Sequence, residues 1–239
     1  MSDPNSAHRT VFTMAPSLSD HDLISVSTEL AGNVEATPDP TKRALDLVVG
    51  FSMLIFFAPV MILVALAVRA TSPGPILFRQ VRIGARGETF ECFKFRTMRV
   101  DAEKVLAEIM ATRAELRREW DENQKLGVDP RVTGIGAFLR NSSLDELPQL
   151  FNVLRGEMSL VGPRPIVKAE IARYGRYSQS YFKMKPGISG LWQVSGRNAI
   201  SYRRRIAADV LYARSRSFRM DLRILVMTVP AVLTGRGSC

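Results

Sequence analysis

LDLVVGFSMLIFFAPVMILVALAV, residues 45–68, is a run of 24 residues carrying one charge, Asp46. A straight helix of that length covers ~36 Å, enough for a hydrocarbon core of ~30 Å. Two details complicate a simple span. Pro59 stands near the middle, where it removes a helical hydrogen bond and bends the axis. Basic residues flank both ends, Lys42 and Arg43 before and Arg69 after, so the positive-inside rule assigns no orientation. A helix broken at Ala58-Pro59 that enters one leaflet and returns to the same face satisfies both facts. An ordinary transmembrane helix that tolerates its proline is the alternative. A soluble core helix is a poor match at this length.

Working outward, residues 1–40 are rich in Ser, Thr, Asp and Pro and show no sustained period. They lack the basic segment followed by an apolar one that marks a signal peptide, and read as a disordered acidic leader. Their one basic and six acidic residues give a net −5, so the rest of the chain holds +15 of the overall +10. A body that basic seeks phosphates: nucleic acid, anionic headgroups or phosphorylated small molecules. A nucleic-acid binder should interleave basic residues with exposed aromatics or offer a recognition helix, and neither is evident, so no nucleic acid is expected. The two cysteines, Cys92 and Cys239, give neither a disulfide framework nor zinc spacing and read as free thiols in a reducing cytoplasm.

Beyond the apolar run, residues 73–98 read as extended chain and hairpins. In TFECFKFRT, 89–97, Phe90, Cys92 and Lys94 fall on one face and Phe93 and Phe95 on the other. Residues 101–125 form a charged amphipathic helix, and short helical segments are expected at 134–140, 144–154 and 166–174. Residues 158–161 are a strand, Gly162-Pro163-Arg164-Pro165 a rigid turn, and 186–197 a Gly-rich stretch. Two last helices follow, a basic one at 202–216 and an apolar one at 220–233, interrupted at Pro230. No internal repeat occurs. The expected fold class is α+β.

The segment richest in chemistry is NSSLDELPQL, 141–150. Ser143 and Glu146 have the spacing of a capping box, which by itself explains acids at a helix start. Pro148 complicates that reading, and a helix starting just before Pro148 is equally reasonable. In either case Asp145 and Glu146 lie where outward-pointing backbone N–H groups favour a phosphate. An ionised carboxylate there can attack phosphorus, and its neighbour can hold a divalent cation. Such a site needs cations. Arg140 lies five residues before Asp145, Arg164 is locked between two prolines, Arg197 follows the glycines at 187 and 190, and Lys94 projects from its strand. Singly, each is more often a solvated charge; together they surround an acidic pair.

The run SLDELPQLFNVLRGEMSLVGPRP (143–165), with KFRTM (94–98) before it and PGISGLWQVSGRN (186–198) after it, resembles the bacterial sugar transferases. These are monotopic phosphoglycosyl transferases that act on polyprenyl phosphate and start exopolysaccharide assembly. The resemblance spans residues 42–239. It implies a membrane-inserted re-entrant helix at 41–70, a small α/β catalytic body at 71–239 facing the cytoplasm from the inner membrane, and interfacial amphipathic helices. Asp145 would be the nucleophile toward a UDP-hexose (galactose or glucose), giving a phosphosugar-aspartate and UMP. Glu146 would hold Mg²⁺. Lys94, Arg140, Arg164 and Arg197 would contact phosphates or nucleotide, and polyprenyl phosphate would accept the sugar phosphate. Family members carry Ser-Pro at the helix break; here Ala58 replaces the serine, so the bend rests on Pro59 alone. Arg203, Arg204 and Arg205, with the apolar run after them, would meet membrane lipid headgroups, each cation worth ~1 kcal/mol at an anionic surface. A homo-oligomer is allowed. The sugar itself is not written in these motifs.

Overall fold

A computed structural model describes residues 39–123, 126–195 and 201–233. The leader before Asp39 and Arg197 lie outside these described residues.

The apolar run forms α1, Pro40–Thr71. Asp39 caps its start, its Oδ1 accepting from Lys42 N at 3.0 Å, and Pro40 occupies the first turn, where no N–H is needed. The helix continues through Pro59 without ending there, so the break expected at Ala58-Pro59 is not a helix terminus. A proline costs one hydrogen bond and a local clash without forbidding helix on its far side. Asp46, Gly50, Met61, Val64 and Val68 are buried along α1, and these spacings put them on one stripe.

That stripe is anchored to the body at both ends. Near the start, Arg43 donates to the carbonyls of Val153 (2.7 Å) and Leu154 (2.9 Å), and Lys42 pairs with Asp221 at 2.7 Å. Asp46 Oδ1 accepts from Ser159 Oγ and Leu160 N, both at 2.9 Å. Near the end, Met61, Val64 and Val68 pack with Phe95 and Leu139, and the Arg96 guanidinium donates to the Ser72 carbonyl. The other faces of α1 are apolar and open: Phe56 is 75% exposed, and Val48, Phe51, Ile55, Leu63 and Leu66 are exposed with it.

The body is built from two small sheets and short helices. β1 (Leu77–Ile83) and β2 (Thr89–Phe95) pair antiparallel, with Phe78 opposite Lys94 and Arg82 opposite Phe90. Cross-strand partners share a face, so Phe78, Gln80, Arg82, Phe90, Cys92 and Lys94 lie on one side of this ribbon. After α2 (Ala102–Thr112), α3 (Ala114–Asn123) and α4 (Gly134–Ser142), a 3₁₀ turn at Leu144–Glu146 leads to α5 (Gln149–Arg155). β3 (Ser159–Val161) then pairs parallel with β4 (Gly187–Ser189). Between them lie α6 (Ile171–Tyr174) and α7 (Ser178–Phe182). α8 (Leu191–Ser195), α9 (Tyr202–Ser215) and α10 (Phe218–Leu233) complete the described fold. The glycine-proline turn after β3 crosses the chain before β4 backbone to backbone. A Cβ on Gly187 would run into the Gly162 nitrogen, so that crossing requires glycine.

Three expectations change in detail. The single helix at 101–125 is two, because Arg113 is extended (φ −122°, ψ 93°). The capping box at Ser143 does not form: Ser143 is left-handed (φ 56°), closes α4, and makes no side-chain cap bond. Its conformation turns the chain before the acids, which separates them from the helix that Pro148 begins. The helix expected at 166–174 is a 3₁₀ turn at Lys168–Glu170 followed by the single turn of α6.

Candidate active site

Asp145 and Glu146 occupy the 3₁₀ turn between α4 and α5, bracketed by Leu144 and Leu147. Both leucines pack on the cluster that α1 makes with Phe95 and Leu139, and Leu147 also packs on the central core around Leu150 and Val153. These contacts, with the left-handed Ser143, fix the turn and place its two acids toward the β1–β2 ribbon. A non-glycine residue held at positive φ costs of order 1 kcal/mol, tolerated where the surroundings over-determine it.

Lys94 reaches across from β2. Its Nζ donates to Glu146 Oε1 at 2.5 Å and lies 4.0 Å from Asp145 Oδ2. The two carboxylates respond in opposite ways. Burial is the main influence on Asp145 and pushes its pKa up to about 6; Lys94 and Arg140 oppose the rise and the Glu146 charge reinforces it. For Glu146 burial also favours the neutral form, but Lys94, Arg164 and Arg82 outweigh it and hold the carboxyl below its usual range. One acid is thus held ionised, and the other is a more basic carboxyl in a largely dry position.

The cations around the pair differ in reach. Arg140, in the last turn of α4, donates Nε to Thr97 Oγ1 at 3.0 Å, which ties it to the chain just after β2. Arg164 is exposed and acts on Glu146 through its charge. Arg205 is half-buried with its guanidinium 4.7 Å from the Trp192 ring, while Arg203 and Arg204 are exposed. The triplet therefore divides: one arginine turns inward toward Arg164, whose charge lowers its pKa after burial, and two face solvent.

The structure adds a cation that motif reading passed over. Arg82, on the Lys94 face of the ribbon, donates to the Pro165 carbonyl at 2.9 Å and to Gln80 Oε1, and lies 3.9 Å from Glu170. Its side chain is 13% exposed, so it braces the Arg164 turn from beneath while contributing charge at Glu146. The signal was present in the hairpin register, because Arg82 and Lys94 share a face once Phe78 pairs with Lys94. α5, with seven residues, starts three positions after Glu146, so the positive field at the acids comes from side chains and not from a helix end.

Among the described residues no group of three or more His, Cys, Asp or Glu forms a metal cluster. A magnesium site needs less, since the ion keeps waters and is commonly held by one or two carboxylates plus substrate phosphates. Two adjacent hard-oxygen acids, one of them held ionised beside the ammonium of Lys94, fit that description.

Sequence comparison places the chain among known proteins. Residues 37–235 match the family model described as bacterial sugar transferase. The exopolysaccharide production protein ExoY of Sinorhizobium fredii is 44% identical over 83% of this chain and 88% of its own length. The undecaprenyl-phosphate galactose phosphotransferase of Salmonella typhimurium is 44% identical over 82% of this chain and 41% of its own. The UDP-glucose:undecaprenyl-phosphate glucose-1-phosphate transferase of Caulobacter vibrioides is 43% identical over 82% of this chain and 71% of its own. The chain thus spans about two-fifths of the length of several relatives it matches, the Salmonella protein among them. With the family model covering everything from just before α1 to the end of α10, this chain belongs to the bacterial sugar transferases, a family of enzymes.

Proposed function

We propose that the protein transfers hexose-1-phosphate, galactose or glucose, from a UDP-sugar to undecaprenyl phosphate, releasing UMP, as the first membrane step of exopolysaccharide synthesis. The names of its relatives support the substrate class. The observation that carries the chemistry is the buried Asp145 carboxylate, set 4.0 Å from the ammonium of Lys94 beside an ionised Glu146.

In the first half-reaction an Asp145 oxygen attacks the phosphorus that bears the sugar. The bond from that phosphorus to the bridging oxygen breaks, and UMP departs with the electron pair. Lys94, Arg140 and Arg164 offset charge that builds on the phosphoryl oxygens, a contribution worth several kcal/mol in a dry site. Glu146 would hold Mg²⁺, which when bound supplies Lewis-acid stabilisation of the diphosphate. In the second half-reaction an oxygen of the lipid phosphate attacks the same phosphorus. The bond between phosphorus and the Asp145 oxygen breaks, leaving a sugar-diphospho-lipid and the free carboxylate.

The setting fits a lipid acceptor. α1 is long and apolar enough to cross a membrane. Yet both its ends are fastened to one body, and residues 46 and 68 are ~33 Å apart along a straight axis. A spanning helix would send one of those ends to the far side, away from its partners. We therefore read α1 as membrane-inserted and monotopic, its ends and the catalytic body on the cytoplasmic face of the inner membrane. The exposed Phe218, Leu222, Val226 and Val229 on α10 give a second apolar surface for the headgroup boundary.

The test is exchange of labelled UMP into UDP-sugar by the detergent-solubilised protein with Mg²⁺, followed by addition of undecaprenyl phosphate. Asp145→Asn should lose both exchange and lipid product, and a panel of UDP-sugars identifies the hexose. Full activity in Asp145→Asn would remove the proposed nucleophile.

A further inference from the structure

An apolar groove of about 810 Å³ runs between the C-terminal half of α1 and the hairpin edge. α1 contributes Ile62 and Ala65, the approach to β1 contributes Ile76, and the ribbon contributes Leu77, Phe78 and Phe95. Arg79 is the one charged residue of the lining. At one end the groove opens onto the bare apolar surface of α1, where Ile62 is 61% exposed and Leu63 and Leu66 continue the same face. Leu77, Arg79 and Phe95 belong to one face of the ribbon, and Phe78, which also lines the groove, belongs to the other, where it is the cross-strand partner of Lys94. Directly opposed side chains in an antiparallel pair have Cβ atoms about 5 Å apart. One residue of the groove wall is therefore the direct cross-strand neighbour of the lysine whose ammonium touches Glu146.

We propose that this groove receives the isoprenoid chain of the acceptor lipid next to its phosphate, delivering that phosphate past Phe78 to Lys94 and Asp145. The inference rests on the lipid-acceptor reading above and adds the place where the acceptor binds. Three features select this occupant. The lining is apolar, which suits a hydrocarbon and not a nucleotide or sugar. It is continuous with the exposed apolar surface of α1, so a chain can enter sideways from the bilayer without crossing water. One residue of its wall, Phe78, is the cross-strand neighbour of the phosphate-seeking cation of the site, so a molecule with a phosphate head and an isoprenoid tail spans both at once. Phospholipid acyl chains share the tail chemistry, and a second copy of this protein could cover the same face, so the test must separate these occupants.

Two variants change the groove from opposite sides: Ala65→Trp fills it and Phe78→Ala removes part of its wall. Each is assayed twice, for lipid-free exchange of UMP into UDP-sugar and for transfer to undecaprenyl phosphate. The expected result is a rise of about tenfold or more in KM for the lipid in both variants, with exchange within about twofold of wild type. An unchanged KM with exchange intact overturns the proposal. Wild-type protein is also photolabelled with undecaprenyl phosphate carrying a diazirine in its first isoprene units. Labelled peptides from residues 61–65 and 75–79, competed by unlabelled undecaprenyl phosphate and not by phosphatidylglycerol, support the groove. Labelling elsewhere, equal competition by phosphatidylglycerol, or no label with a stable dimer sealing this face overturns it. Should the variants lose exchange through misfolding, the wild-type labelling decides. Absence of exchange in the wild type would instead defeat the reaction proposed above, and the labelling map would still judge the groove.

Discussion

Lys94 Nζ and Glu146 Oε1 lie 2.5 Å apart, although one sits on β2 and the other on a 3₁₀ turn 52 residues later. The same ammonium is 4.0 Å from Asp145, so a single lysine faces two adjacent acids and treats them unequally. Replacing it with methionine removes the charge while keeping the length of the stem. Lys94→Met should slow UMP exchange by about 100-fold or more, the usual scale for losing one preorganised electrostatic contact to a transition state. Lys94→Arg should retain part of the rate, because charge survives while geometry does not. A methionine variant that folds and exchanges UMP at the wild-type rate would show that the contact is only structural.

The anchoring of α1 at both ends makes a topological prediction. With Cys92 and Cys239 replaced by serine, single cysteines are introduced as Thr41→Cys and Val100→Cys and labelled in sealed vesicles with a membrane-impermeant maleimide. Both should react from the cytoplasmic side only. Residue 41 lies in the first turn of α1, and residue 100 follows β2, which packs on the last turns of the same helix. Opposite-side labelling would mean that α1 spans the bilayer and that its contacts with the body at one end do not form there.

Asp46 tests what fixes the start of that helix. One carboxylate oxygen accepts from both Ser159 Oγ and Leu160 N, and the residue is 3% exposed. Asp46→Ala strips two buried donors of their acceptor, each loss worth ~1–3 kcal/mol. Asp46→Asn keeps a carbonyl oxygen in the same place and should be the milder change. Thermal unfolding in detergent should therefore rank wild type and asparagine above alanine, with alanine lower by several degrees. Equal midpoints for alanine and wild type would show that β3 does not depend on this contact.

Periodicity made several elements legible, and three-dimensional register hid others. The apolar run announced α1, and alternation in 89–97 sorted Lys94 from Phe93 and Phe95 as the hairpin does. The acids and Lys94 were found from motif chemistry. The turn that carries Asp145 and Glu146 was not, because a left-handed Ser143 is a tertiary choice: the serine-glutamate spacing suits a capping box equally well, and only the packing of Leu144 and Leu147 decides against it. Arg82 escaped because its partners, Pro165 and Glu170, are more than 80 residues away and no local pattern joins them. The single charge in the apolar run illustrates the same limit, since Asp46 is explained by β3 and not by its neighbours on α1.

Asp209 offers a pH dependence whose sign can be worked out. It is buried on α9, and Tyr174 donates its hydroxyl to Asp209 Oδ2 at 2.7 Å. Burial pushes the carboxyl from 3.8 up to about 7, while the tyrosine bond pulls the other way. The folded protein thus holds a proton there that the unfolded chain releases near its ordinary carboxylate pKa. Between about pH 4 and 7 the native state binds the extra proton, so this group's contribution to stability is fully present at acid pH and falls as pH rises to 7. A shift of that size corresponds to at most about 4 kcal/mol. Asp209→Asn replaces the neutral acid by a neutral amide whose oxygen still accepts from Tyr174. The variant should match wild type near pH 4 and gain on it steadily up to pH 7, with a constant advantage above. The measurement is the difference in unfolding midpoint between variant and wild type at each pH in one detergent, which cancels every other titrating group. A difference that does not change with pH would mean that Asp209 carries the same charge folded and unfolded, and that the α6–α9 contact through Tyr174 is made by an ionised carboxylate.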